Sequence, residues 1–195
     1  MKFHPYHLIT ALILILISFF VPTTYADTFP RTELDFLQLP PFCKARMSGQ
    51  KNAFGDYWAI KIGPPFEHIH HLCSGLHGLN LAKKMSPKKI QYRRILRSAL
   101  GGIDYVIVRT DSNFFLYPYM LLNKAEILIL SKKLEDATSL LRKALSIKQN
   151  YSLAYAKLSK IYILQGNKKK AKEVLLQGLK HKPDSKLLQI RLSKL

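Results

Sequence analysis

Apolar residues return at helical spacing along several stretches of the chain, and these stretches are bounded by residues that stop or start a helix. Toward the C-terminus Tyr155, Leu158 and Tyr162 share one face, and after Leu164 comes Gly166, a residue that tolerates positive φ where a helix must stop. Beyond Lys168, Lys169 and Lys170 comes a segment with the small residues Ala171 and Gly178 two turns apart and Leu175 and Leu179 beside them, so that a neighbouring helix can approach closely. Pro183 and Asp184 are expected to end that helix and cap a terminal one, in which Leu187, Leu188, Ile190 and Leu192 are the apolar positions. Upstream, Ile69, Leu72, Cys73, Leu76 and Leu79 fall on a single helical face. Ser86-Pro87 breaks the chain, and Ile90, Arg94, Leu96, Ala99 and Leu100 lead toward Tyr105 and Val108, with Gly101-Gly102 expected to kink or end that helix. The pattern predicts an all-α chain of helical hairpins from residue 67 onward.

Those hairpins repeat. A shift of 34 residues lays Ala125 on Ser159, Leu128 on Tyr162, Ala137 on Ala171, Leu141 on Leu175, Leu145 on Leu179 and Lys148 on Lys182. In the second copy Tyr155, Leu158, Tyr162, Gly166, Ala171, Leu175, Gly178 and Pro183 stand at the spacings of the signature residues of tetratricopeptide repeats, and residues 118–195 resemble that family. The first copy, with Leu121, Ala125, Leu128, Ala137, Leu141 and Ala144, is looser, because Lys124 replaces a usual Leu and Lys132 the usual turn Gly. The resemblance implies a right-handed superhelix of helical hairpins, with one repeat over residues 118–151, a second over 152–185 and a capping helix over 186–195. Residues 67–110 would extend the stack as an atypical hairpin.

The same resemblance implies a groove lined by the first helix of each hairpin that takes up a peptide or a partner's helix. Its candidate residues are Tyr119, Leu122, Asn123, Glu126, Ala156, Lys157, Lys160 and Ile163. Members of the family that bind a peptide's terminal carboxylate hold it with Lys and Asn residues on these helices. Lys157, Lys160 and Asn123 fit part of that pattern, and Glu126 stands where an Asn would be wanted.

Ahead of the hairpins the organisation changes. Leu8 to Val21 is an almost unbroken apolar run, too short to span a bilayer comfortably, and Thr24-Tyr25-Ala26 has the small-residue shape of a signal-peptidase site. Residues 1–26 are therefore expected to be a signal peptide cleaved after Ala26, which directs the chain to the periplasm. Residues 27–66 contain Pro30, Pro40, Pro41, Pro64 and Pro65 with little periodicity and read as an irregular arm laid over the helices. Trp58, the sole tryptophan, is expected to pack within this arm.

Cys43 and Cys73 are the chain's two cysteines, and in an oxidising compartment an even pair reads most simply as one disulfide. A metal site is the alternative, because His68, His70, His71 and His77 crowd around Cys73. On an ideal helix His68 and His71 could share an ion, whereas His70 points elsewhere, so three imidazoles do not converge; His68, His70 and His71 remain the metal candidates. No Cys-x-x-Cys-His occurs, and no cofactor is implied. The head, through Pro40, Pro41, Phe42, Cys43, Ala45 and Arg46 and through His68, His70, His71, Cys73, Gly75 and Leu76, resembles that of secreted proteobacterial tetratricopeptide proteins. That resemblance brings no reaction with it.

Charge sharpens the picture of partners. The chain carries Lys+Arg 31 against Asp+Glu 12, a net charge of +19, yet residues 27–82 balance 5 basic against 5 acidic, so the head is neutral and the helical body basic. Together with that charge, a hydrophobic content of 48% excludes an acidic, aromatic-poor disordered chain. In the repeats Lys far outnumbers Arg without the aromatic interleaving of base-stacking proteins, which argues against nucleic acid as the partner. Paired carboxylates, a nucleophile elbow and a phosphate loop are all missing, so the sequence favours a non-enzymatic interaction scaffold whose partner is a protein or peptide of the cell envelope. An accessory protein with a Cys/His site in the head, and a basic surface that contacts anionic lipid or polysaccharide, are the competing expectations.

Overall fold

The computed structural model describes residues 28–49 and 52–195; the expected signal peptide and its cleavage after Ala26 lie outside them. Among the described residues the chain forms α1 (Glu33–Leu37), α2 (Pro41–Met47), α3 (Ala53–Ile62), a 3-10 turn (Pro64–His68), α4 (Ile69–Lys84), α5 (Ile90–Ile107), α6 (Tyr117–Leu130), α7 (Leu134–Ile147), α8 (Ser152–Leu164), α9 (Lys168–His181) and α10 (Lys186–Leu192), with no strand. The last seven helices form three antiparallel hairpins, α4 with α5, α6 with α7 and α8 with α9, closed by α10 against α8 and α9. This is the all-α, helical-hairpin stack that the periodicity predicts.

The irregular arm expected over residues 27–66 is instead three short helices and a 3-10 turn. Its prolines start elements rather than break them: Pro41 occupies the first turn of α2, where its missing N–H would have had no partner, and Pro64 opens the 3-10 turn. Thr32 accepts from Asp35 N–H while the Asp35 carboxylate accepts from Thr32 N–H, a reciprocal cap on α1, and Asn52 caps α3 by accepting from Gly55 N–H at 2.9 Å. Helices of five to ten residues carry too few turns to show a period, which is why the sequence hides them. Phe42 and Cys43 of α2 are buried against α4, the Cys43 and Cys73 Sγ atoms lie 2.07 Å apart as a disulfide, and Trp58 meets Phe42 edge-on at 5.7 Å. The arm is thus clamped to the first hairpin.

Gly101-Gly102 does not end α5, which runs as one helix to Ile107. Gly102 sits where α4 and α5 cross. A Cβ at Gly102 would fall 2.6 Å from the His71 carbonyl oxygen, and one at Gly75 would fall 2.8 Å from the Ala99 carbonyl oxygen, so the two backbones touch. A turn further along α4, Gly78 faces Thr28, whose hydroxyl is 2.7 Å from Ser74 Oγ and 3.2 Å from Ser98 Oγ. The chain therefore enters the fold pinned between α4 and α5.

The two repeats share the backbone conformation of the turn between their helices. Lys132 (φ 61°) and Gly166 (φ 74°) are both left-handed, Lys133 N–H donates to Leu128 and Asn167 N–H to Tyr162, each at 2.8 Å. Leu188 of α10 is fully buried and, with Tyr155, fills the space over Gly178. One terminal expectation is corrected: Ser185, not Asp184, precedes the first turn of α10, and its side chain makes no capping bond.

Candidate partner-binding face

First helices carry most of the burial in each repeat. On α6 ten residues are buried, and on α7 only Ala137, Leu141 and Ala144. Helix α4 touches α6, and α6 touches α8, while α5, α7 and α9 are splayed further apart. The first helices therefore line the inner side of the curved stack, and what they leave exposed there is the surface a partner would meet.

The expected groove residues divide on this face. Leu122 and Ala156 do not line it; both are buried in the contacts between hairpins, because residues at these positions point toward the neighbouring helix rather than along the open surface. Tyr119 and Asn123 are half-buried, and Asn123 Nδ2 donates to the Tyr119 carbonyl at 2.8 Å. Lys160 is exposed and Ile163 is 43% exposed. Sequence reasoning missed Lys83, at the end of α4, and Tyr151, at the start of α8, because neither belongs to a signature position.

Glu126 and Lys157 form an ion pair between α6 and α8, with side chains only 9% and 17% exposed. Burial works to raise the Glu126 pKa, but the bond to Lys157 and the charges of Lys157, Lys83 and Lys160 together hold the carboxyl below its ordinary value. Burial lowers the Lys157 pKa, and repulsion from Lys83 and Lys160 adds to that, partly offset by Glu126. Lys157 is accordingly committed to Glu126 and not free to hold a peptide carboxylate, as the family pattern would have it. Lys83 and Lys160 remain as the surplus cations. Beside them burial pushes the Tyr151 hydroxyl up to about 12 with help from Tyr119, whose own hydroxyl burial also raises.

The histidines of the head form an aromatic stack. Arg109 lies 3.6 Å over the Tyr105 ring, His71 is 3.8 Å from Tyr105, and His70 is 4.1 Å from His71, with His68 against Tyr105 at 5.6 Å. His68 stands in the 3-10 turn rather than on α4, and His70 Nδ1 is 3.0 Å from the Glu67 carbonyl. Burial lowers the pKa of both His70 and His71, and the charges of Arg46 and Arg109 and of the neighbouring imidazoles push in the same direction. Among the described residues no three His, Cys, Asp or Glu side chains come together so as to hold a metal ion. No helix among them is long and apolar enough to cross a membrane.

A stack of helical hairpins with an open inner face is a scaffold architecture. Residues 128–194 match the tetratricopeptide repeat family, so the fold is TPR-like and this part of the chain supports binding of a protein partner. No curated protein matches the chain.

Proposed function

We propose that the chain is a non-catalytic scaffold of the periplasm whose inner face, built by α4, α6 and α8, binds a peptide or helix of a cell-envelope protein. The observation that carries this reading is the charge arrangement on that face. Lys83 and Lys160 stand as cations in excess of the Glu126–Lys157 pair, next to Tyr119, Tyr151 and Ile163. A segment with acidic residues flanking an apolar one is the complement, with charge setting the rate of encounter and the aromatic and apolar side chains the strength. The periplasmic reading is supported by the apolar run and Thr24-Tyr25-Ala26 ahead of the folded chain, and by a cysteine pair at bonding distance, which suits an oxidising compartment.

The test is capture of partners from envelope extract at low salt and at about 0.5 M, a range over which the screening length shortens severalfold. A defined partner, lost when Lys83 and Lys160 become Glu and kept when Lys168, Lys169 and Lys170 do, places recognition on the inner face. The opposite pattern removes it from there. Intact mass of the exported protein tests cleavage after Ala26, and a membrane-bound species retaining Met1 would overturn the soluble periplasmic assignment.

A further inference from the structure

On the other side of the stack a groove of about 550 Å³ opens between α5 and the turn from α6 to α7. Its size falls in the range of small-ligand sites. Arg93 and Arg97, one turn apart on α5, face Lys132 and Lys133 of the turn, and no carboxylate lines it. Leu96, Leu100, Leu128 and Leu130 supply an apolar floor. Glu135 and Asp136, in the first turn of α7, are not among the lining residues.

Two of these cations stand where the fold would do better without them. The matching turn of the second repeat has the same backbone bonds but carries Gly166 and Asn167. Gly166 takes its left-handed φ freely, and Asn167 caps α9 by accepting from Lys170 N–H at 2.9 Å. Lys132 holds nearly the same φ with a side chain, and Lys133 leaves α7 with no side-chain cap. Both replacements disfavour the turn, and both place an ammonium at the groove. Strain of this kind, retained where a relaxed alternative exists one repeat away, points to function.

We propose that this groove binds an anionic phospholipid, its phosphate held among Arg93, Arg97, Lys132 and Lys133 and the start of an acyl chain laid on the leucines. A guanidinium pair suits phosphate oxygens because each fork donates two parallel bonds. A peptide fits less well. Its backbone N–H groups would need acceptors, and the lining side chains offer only the Ser131 hydroxyl and the Tyr92 hydroxyl, which itself donates to the Leu130 carbonyl at 3.3 Å. A phosphate on an acyl chain needs only cations and an apolar floor. Ile90, 68% exposed in the first turn of α5, lies on the same helix face as Arg93 and Arg97 and extends this surface with an apolar contact. The proposal is independent of the inner-face reading, since the two surfaces share no residue.

The test uses flotation of the folded chain with vesicles of phosphatidylcholine alone or mixed with phosphatidylglycerol, together with titration of dihexanoyl-phosphatidylglycerol and of glycerol phosphate. Lys132→Gly with Lys133→Asn installs the turn of the second repeat, so folding is not at risk; Lys168→Asn with Lys169→Asn removes equal charge elsewhere. Binding to the mixed vesicles should weaken by about 25-fold in the first variant, at about fivefold per lysine, and little in the second. The short-chain lipid should bind and glycerol phosphate should bind far more weakly. Equal losses in the two variants would mean bulk charge alone. Equal binding of glycerol phosphate would leave the leucine floor without a role, and preference for an acidic leucine-containing peptide over phosphatidylglycerol would replace the lipid by a protein; each of these outcomes overturns the proposal.

Discussion

Gly101 and Gly102 are neighbours on one continuous helix, yet alanine should act on them with opposite sign. At Gly101 an added Cβ meets nothing within 4 Å and the residue is exposed, so the substitution exchanges the poorest ordinary helix former for the best, a stabilisation of about 0.8 to 1 kcal/mol. At Gly102 the same gain is available, but the Cβ would fall 2.6 Å from the His71 carbonyl oxygen and 3.2 Å from Gly75 N. These are backbone atoms of α4, so relief requires the whole helix to shift away, breaking the core that Ile69, Leu72 and Ile103 share. Overpacking of this kind costs about 1 to 3 kcal/mol, and with a rigid backbone as the obstacle the upper end applies, leaving a net loss of about 2 kcal/mol. The two alanine variants should therefore differ by about 3 kcal/mol. Urea unfolding of the disulfide-intact chain, followed by helical circular dichroism and by fluorescence of Trp58 in the arm, measures both midpoints against a common slope. If Gly102→Ala is as stable as Gly101→Ala, the helices do not meet backbone to backbone, and the account of why Gly102 is a glycine within a helix fails.

Other perturbations follow from the same structure. Lys132→Gly should stabilise by about 1 kcal/mol by removing left-handed strain and Lys133→Asn by about another 1 kcal/mol through a helix cap, whereas Gly166→Lys should destabilise; thermal unfolding of the three variants checks the signs. Reducing the Cys43–Cys73 bond, whose sequence separation is 30, should cost about 3 to 4 kcal/mol on the chain-entropy account, and thiol counting under denaturing conditions should find no free cysteine beforehand. Glu126→Gln should cost about 3 kcal/mol by leaving Lys157 unpaired between α6 and α8, while Glu126→Met with Lys157→Met should be near neutral, a contrast that a double-mutant cycle measures. His70 and His71 have folded-state pKa values below the ordinary 6.5, so the unfolded chain binds protons more readily; the stability they contribute is complete above pH 6.5 and is lost as pH falls through their lowered values. Replacing both by Gln should flatten the decline in midpoint between pH 7 and pH 5.

The C-terminal half of the fold was legible because its signals are local and repeated. Tyr155, Gly166, Ala171 and Gly178 each do in the structure what their spacing implies: Tyr155 and Leu188 fill the space over Gly178, and Gly166 closes its turn at positive φ. The arm was not legible, since three helices of at most ten residues have no period to detect and their prolines read as breakers until their first-turn positions are known. Gly102 was misread for a related reason. A glycine pair in a helix signals weakness when only its own segment is considered, and the reason for it lies in α4, some 30 residues away. On the inner face the sequence placed the groove candidates on α6 and α8 without the direction of each side chain, which left the buried Leu122 and Ala156 among them and Lys83 out of them.

Each departure of the first repeat from the family pattern looks toward side chains outside the repeat's own hairpin. Lys124, in place of a usual Leu, reaches Asp104 of α5 at 2.6 Å; Glu126, where an Asn would be wanted, pairs with Lys157 of α8; and Lys132 and Lys133, in place of Gly and Asn, face Arg93 and Arg97 of α5 across a groove. The first two are opposite charges that join the repeat to the hairpins on either side, Lys124–Asp104 part-exposed and Glu126–Lys157 buried, where a pair adds little net stability. The lysines of the turn line the groove together with two guanidiniums and no carboxylate, a set of like charges that an anion would complement. Internal packing accounts for Lys124 and Glu126 and not for Lys132 and Lys133. The middle hairpin is thus a junction: its first helix is fastened on both sides, its inner face is partly neutralised by the Glu126–Lys157 pair, and its turn lysines line the groove beside α5.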